Sequence, residues 1–354
     1  MRIIDAYIGR VIASTTFITL AVFVSVSGII KFVEQMNDIG RGDYDLSHAA
    51  LYVLYYIPRD VEIFFPMAAL IGGLIGIGML ASNSELIVMQ AAGMSRLNII
   101  KSVMKTAVVL IIISMAVGEW LGPAGEASAR EVRAQAISGG SLISAKSGVW
   151  AKDGDYFVHI TEVEDKGTLN RVQIYRFGQD LKLESWLAAE SAEYKDDAWQ
   201  LNDVTDTFIF NNQIQERKHD TLAWSSSLTP EKLGVVTVKP ESLSVSGLIS
   251  YLDYLEANEQ DSSRYVLAFW RKIMQPFTVA VMLLVALSFI FGPLRSVSMG
   301  ARIMMGVLTG LLFHLSNQVL GSVSLVYQLP PIFGAVMPSL LFVAVAIFLM
   351  NRKT

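Results

Sequence analysis

The 354-residue chain contains no cysteine, which excludes disulfide frameworks, thiolate metal sites and cysteine nucleophiles. Histidine is nearly as scarce: His48, His159, His219 and His314 are scattered, with no HExxH or other paired-ligand spacing, so a protein metal site has no basis. No GxxxxGKS or GxxxxGKT loop is present, so the chain has no recognisable means of hydrolysing ATP; no GxSxG turn offers a serine nucleophile. Charge is thin as well, at 17% of residues against 53% hydrophobic ones, with a mean hydropathy of +0.46. That balance excludes an ordinary soluble enzyme. The net charge of −4 conceals a split: residues 123 to 264 carry 14 basic and 23 acidic side chains, the remainder 14 and 9.

What is there is long uncharged sequence. Val11–Ile30, Ile63–Ser84 and Ile273–Leu294 each hold about 20 residues without a charge, enough to cross roughly 30 Å of hydrocarbon as a helix. Ile303–Asn351 is too long for one crossing and is broken at Pro330-Pro331, which gives two more. A sixth span is expected near Ser102–Leu121, with Lys105 snorkelling at one end and Glu119 at the other interface. No small-residue cleavage site follows Ile30, so the first run is expected to stay as a span and not to be removed as a signal peptide.

Six crossings return both termini to one side. Arg2, Arg10, Arg96, Lys101, Lys105, Arg295, Arg302, Arg352 and Lys353 fall on that side, against Lys31, Arg41, Arg59, Arg271 and Lys272 on the other. The positive-inside rule then puts the termini in the cytoplasm and residues 123 to 264 outside it. Within that segment the periodicity changes to two: Tyr156, Val158 and Ile160 alternate with Phe157, His159 and Thr161. Val172, Ile174, Phe208 and Phe210 lie in similar short runs separated by turn dipeptides. Short antiparallel strands in a sandwich or jellyroll are expected at 123–245. An amphipathic helix follows at 246–264, where Leu248, Ile249, Leu252 and Leu255 recur at helical spacing.

The strings SGIIKFVEQ (27 to 35), FFPMAAL (64 to 70), SELIVMQAAGMS (84 to 95), GEWLGPAGE (118 to 126), LTPEKLGVV (228 to 236) and SFIFGPLRS (288 to 296) resemble the LptF/LptG family of lipopolysaccharide-export permeases, end to end. The resemblance implies a membrane domain of six transmembrane helices with an inserted all-β periplasmic jellyroll, in the bacterial inner membrane. It implies a non-catalytic subunit that extracts lipopolysaccharide, with ATP and Mg bound by a partner and no cofactor on this chain. The implied partners are the sister permease LptF, the cytoplasmic ATPase dimer LptB, the single-span LptC and, through the jellyroll assembly, the periplasmic bridge LptA; no nucleic acid is implied. The domain division expected is 1–122 for the first three spans, 123–245 for the jellyroll, 246–264 for the connecting helix and 265–354 for the last three spans.

Several residues then carry a structural and a functional reading. Ser82-Asn83-Ser84-Glu85 has capping-box spacing, Leu86, Met89 and Ala92 or Gly93 form an apolar stripe, and Gly93 suits a helix end, so a one-sided helix of three turns is expected in 83–95. Glu85 either returns a hydrogen bond to its own helix start, or belongs to a coupling helix that plugs into the ATPase through Glu85, Leu86, Met89 and Arg96. The family resemblance favours coupling, because a charge in so short an apolar loop is an efficient docking contact. Lys31, where the first span leaves hydrocarbon, either snorkels or meets lipid phosphate. Arg130 and Arg133 are a solvated pair near Glu126 and Glu131 or a phosphate site. His314, Asn317 and Gln318 lie within one turn of span five and are expected to line an inter-helix seam, with a substrate-cavity role as the alternative. Gly72 and Gly76 form a GxxxG that admits a neighbouring helix.

The reading adopted is the permease subunit. The alternative from another class is a membrane enzyme modifying envelope lipids or glycans, with Asp60 and Glu62 as acid and base; their i,i+2 spacing points them to different helix faces and argues against a dyad. A purely structural scaffold leaves the short 83–95 helix unexplained.

Overall fold

The computed structural model describes residues 3–138, 148–165, 167–178, 182–195, 198–210, 213–230, 233, 239–291 and 297–351. Among the described residues the helices that position the sites are α1 (Ile3–Met36), α2 (Leu46–Ser82), α3 (Glu85–Ala91), α4 (Arg96–Ala116), α5 (Gly122–Ser138), α6 (Val245–Ala257), α7 (Ser263–Phe291), α8 (Met299–Val326) and α9 (Pro331–Asn351). Strands β1 (Val149–Asp153), β2 (Tyr156–Asp165), β3 (Thr168–Phe177), β4 (Leu183–Lys195), β5 (Ala198–Phe210) and β6 (Gln213–Trp224) lie between α5 and α6. The chain divides into two compact units, one of Met1–Val33, Tyr55–Glu126 and Ser263–Thr354, the other of Glu34–Leu54 and Ala127–Ser262.

The apolar helices lie mainly in the first unit. Among the described residues six helices are long and apolar enough to cross a membrane: α1, α2, the continuous stretch through α4 and α5, α7, α8 and α9. Hydrocarbon leaves the backbone no water to bond, so these runs satisfy their own amides as helices. Their shared core joins Ile8 and Ile12 of α1, Phe65, Leu70 and Leu74 of α2, Ile99 and Val103 of α4, and Met282 and Leu283 of α7. The approach of α1 to α2 is set by glycine: a Cβ on Gly72 would collide with Thr16 backbone, one on Gly76 would lie 2.7 Å from Thr15 Oγ1, and Thr15 donates to the Gly72 carbonyl at 2.7 Å. The other side of the same helix meets α7, where a Cβ on Gly73 would come within 2.9 Å of Leu283. Two small faces let α2 pack closely on both neighbours.

Sequence reasoning ends the third span at 121, but the helix runs on. A π-turn at Val117–Leu121, closed by the Gly122 amide on the Val117 carbonyl, is followed directly by α5. The widened turn accommodates Pro123, which has no amide to donate. Glu119, Glu126, Arg130, Glu131 and Arg133 end the uncharged run, yet alanine, glutamate and arginine are good helix formers, so helix outlasts hydropathy. Among the described residues the first strand begins at Val149, well beyond residue 123.

In the second unit the alternating segments form one antiparallel sheet, ordered β1-β2-β3-β4-β5-β6, so each strand pairs with its sequence neighbour. Val158 pairs with Ile174, Ile160 with Val172, Val172 with Ala189 and Ala189 with Val204, and these side chains form its buried face. On the opposite face Trp150, Tyr175 and Trp186 stack, with ring centroids 5.6 and 6.2 Å apart. Edge strand β6 carries Glu216, Arg217, Lys218 and Asp220, charges that discourage further strand pairing. The Asp153 carboxylate gathers Ser226 and Ser227 hydroxyls at 2.6 Å each, and Trp199 donates to the Leu228 carbonyl at 2.6 Å.

Helix α6 starts at Ser244, whose hydroxyl accepts from the Gly247 amide at 3.0 Å, and buries Leu248, Tyr251, Tyr254 and Leu255. It is tied to β1: Tyr254 donates to the Lys152 carbonyl at 2.6 Å and Asn258 Oδ1 accepts from the Gly154 amide at 2.7 Å. Burial pushes the Tyr254 hydroxyl up to about 12, so it stays a donor at neutral pH. Tyr254→Phe is expected to remove about 1 kcal/mol of stability, read as a lowered unfolding midpoint of the β unit; an unchanged midpoint contradicts the tie.

Candidate functional site

Helix α3 has two turns, not the expected three, and it starts without the expected capping box. Ser84 has φ of +61° and its side chain caps nothing, so Glu85 is not part of a reciprocal cap. Its carboxylate turns instead to α1, where Tyr7 Oη donates to Oε2 at 2.8 Å; Asn83 Nδ2 donates to Oε1 at 3.4 Å. The end of α3 follows the glycine rule: Gly93 has φ of +91°, its amide reaches the Gln90 carbonyl and the Met94 amide the Met89 carbonyl, each at 3.0 Å. Leu86 is buried and Met89 packs on the helical core, so the apolar stripe points inward. The outward apolar side chains are Ile87 and Val88, 58% and 66% exposed. Nearby, Arg96 lies 6.0 Å over the Phe291 ring, and buried Asp5 holds Ser102 and, at 2.7 Å, Lys105. Arg302 is no surface anchor: it is buried and donates to the Gly78 carbonyl at 2.9 Å.

At the other ends of α1 and α2 lies a concentration of charge. Lys31 Nζ is 2.6 Å from Asp60 Oδ1, donates to Ser27 at 2.8 Å and sits 4.6 Å from the Tyr56 ring centre. The lysine side chain is 22% exposed and the aspartate 3%. Beside Asp60 on α2, Arg59 donates to Glu62 Oε2 at 2.5 Å, with its Nε 3.3 Å from Glu126 of α5. Lys272 of α7 approaches Glu62 Oε1 at 3.3 Å, and Gln275 donates to the Glu62 carbonyl at 2.9 Å. All four charged side chains of this inner cluster are at most 8% exposed. The π-turn makes room for it: a Cβ on Gly118 or Gly122 would lie 3.0 or 2.8 Å from the Glu62 carboxylate. Asp60 and Glu62 thus serve different ion pairs, which removes them as a catalytic dyad. Among the described residues no three His, Asp or Glu side chains converge as metal ligands.

The remaining sequence-derived residues are dispersed. On α8, His314 and Gln318 are exposed and 3.2 Å apart, while the Asn317 carbonyl accepts from Arg271 at 2.5 Å; the side chains of His314 and Gln318 occupy no seam within this chain. In the second unit Arg133 pairs with Asp38 at 2.6 Å. Arg130 is likewise engaged in an interaction.

This is the layout of a membrane protein with charged contacts towards both ends of its helices. A sequence model of the family described as lipopolysaccharide export system permease LptF/LptG matches residues 6–352. The chain belongs to the LptF/LptG family. It is 48% identical over 355 residues to the lipopolysaccharide export system permease protein LptG of Escherichia coli (strain K12), covering 99% of both chains. With the LptG protein of Haemophilus influenzae it shares 49% identity over 352 residues, covering 99% of this chain and 98% of that one. In this LptF/LptG permease, sequence reasoning missed Tyr7, Arg59, Glu126, Lys272 and Gln275 as site residues. Arg59 and Lys272 entered the sequence reading only as loop charges. The available signal was their position: both abut uncharged runs, where a charge either snorkels or finds a partner.

Proposed function

We propose that the chain is the permease subunit of an ATP-driven transporter that draws lipopolysaccharide from the inner membrane and hands it to a periplasmic bridge. One observation carries the reading: the similarity to lipopolysaccharide export permeases runs through 99% of both chains, so it covers the helices, the inserted sheet and the short α3 together. ATP is bound and hydrolysed by a partner, the LptB dimer, since no phosphate-binding loop is present here. LptF completes the membrane core, and LptC and LptA take the lipid onward. The termini and α3 face the cytoplasm and residues 123–264 the periplasm, an orientation that the charge asymmetry supports. In that orientation Glu85, with Ile87 and Val88 exposed beside it, meets the ATPase, and Lys31 stands at the outer-leaflet headgroups, where phosphates lie.

Affinity purification of the chain from membranes tests this: an ATPase and a second permease should accompany it. A lone enzyme would come down by itself, and a scaffold would bring neither ATPase nor lipopolysaccharide. Protease added to spheroplasts should cut within 123–264; cleavage only from the cytoplasmic face would reverse the topology.

A further inference from the structure

We infer that Tyr7 is a positioning residue for the coupling carboxylate, and that it makes α1 the helix into which the ATPase stroke is delivered. The inference rests on the reading of Glu85 as the coupling residue. It starts from how little else holds that carboxylate. Helix α3 has seven residues, too short to be stable on its own, and its buried side is fixed by Leu86 and Met89 while its first turn lacks a side-chain cap. The short hydrogen bond on Glu85 comes from Tyr7 at 2.8 Å, 78 residues away in sequence; the contact from Asn83 is long, at 3.4 Å. A hydroxyl occupies one acceptor site of a carboxylate that has about four, so the remainder stay open to a partner's cation.

The same end of α1 is secured to α4, where Asp5 holds Ser102 and Lys105, and further along it is secured to α2 by Thr15 on the Gly72 carbonyl. Displacement of Glu85 is therefore passed to α1 directly through Tyr7, besides passing along the chain into α2 and α4. From Tyr7 to Lys31 the unbroken helix spans about 36 Å, more than the roughly 30 Å of a bilayer's hydrocarbon core. One rigid element thus joins the ATPase contact to the Lys31–Asp60 pair.

The test uses the complete transporter in liposomes, with lipopolysaccharide released per ATP hydrolysed as the readout. Tyr7→Phe keeps the ring and removes only the donor. It is expected to lower this ratio about tenfold, the lower end of what one hydrogen bond to a charged group contributes. Glu85→Ala should lower the ratio at least as much, and the double variant should be no worse than Glu85→Ala alone. A purely structural tyrosine would reduce the yield of complex and leave the ratio unaltered. A normal ratio in Tyr7→Phe beside a reduced one in Glu85→Ala overturns the positioning role and leaves coupling intact. Normal ratios in both overturn the coupling reading and this inference with it, and losses that multiply in the double variant place the action of Tyr7 elsewhere.

Discussion

Replacing Glu62 by leucine is expected to lower the stability of the helical unit by about 3–5 kcal/mol, the cost of removing one member of a buried ion cluster while its partners remain. Glu62 is shared by Arg59 at 2.5 Å and Lys272 at 3.3 Å, all at most 8% exposed, so its loss leaves two desolvated cations around Glu126 alone among the cluster's carboxylates. The Gln275 bond is to backbone and survives the substitution. Glu62→Gln keeps shape and acceptor but loses charge, and should fall between the two. Removing a cation as well, in Glu62→Leu with Lys272→Leu, should recover part of the loss, since apolar pairs can replace buried ions at little cost. Thermal unfolding of the purified transporter measures all three. A wild-type midpoint for Glu62→Leu would mean that the cluster contributes nothing.

Lys31→Glu is expected to abolish most lipopolysaccharide loading. The substitution sets a carboxylate against buried Asp60, whose oxygen now lies 2.6 Å from the ammonium, and it presents a negative charge to anionic headgroups. Lys31→Arg should retain most loading, because charge at the interface is what a phosphate mainly requires. A charge exchange separates the two effects. Lys31→Asp with Asp60→Lys restores the pair, and thus the stability, but moves the cation to the buried position; loading should stay low. Full loading in the exchanged protein would show that Lys31 serves only its partner. Photo-crosslinking of lipopolysaccharide at position 31 gives the direct readout, and adducts at other positions of the helices with none there would leave Lys31 an interfacial residue.

The spans were legible because charge is excluded from hydrocarbon so strictly: each uncharged run falls on one of α1, α2 and α7 or on the pair α8 and α9, although α1, α2 and α7 begin 8, 17 and 10 residues before their runs, where charged residues still continue the helix. The strands were legible from alternation, as Val158 and Ile160 show. What pattern does not contain is the identity of the covering surface. Leu86 and Met89 read as a stripe, and nothing in their spacing says that this chain's own core covers it, leaving Ile87 and Val88 outward. Asp60 and Glu62 read as a failed dyad, when the relevant neighbour of Glu62 was Arg59 at i,i+3, with Gln275 reaching in from 213 residues away. For Glu85 the capping box was the structural alternative to the favoured coupling role; a left-handed Ser84 and a tyrosine 78 residues upstream rule out the cap. Local chemistry was readable, and long-range pairing was not.

The most direct test of the account is transfer itself. The chain, with its sister permease, ATPase and accessory subunit, is placed in liposomes loaded with lipopolysaccharide, and a soluble periplasmic acceptor carrying a photo-crosslinker is added. The account predicts lipopolysaccharide–acceptor adducts that grow with time, require hydrolysable ATP and disappear when this chain is omitted or carries Lys31→Glu. Adducts that form equally without this chain, or without ATP hydrolysis, would contradict it.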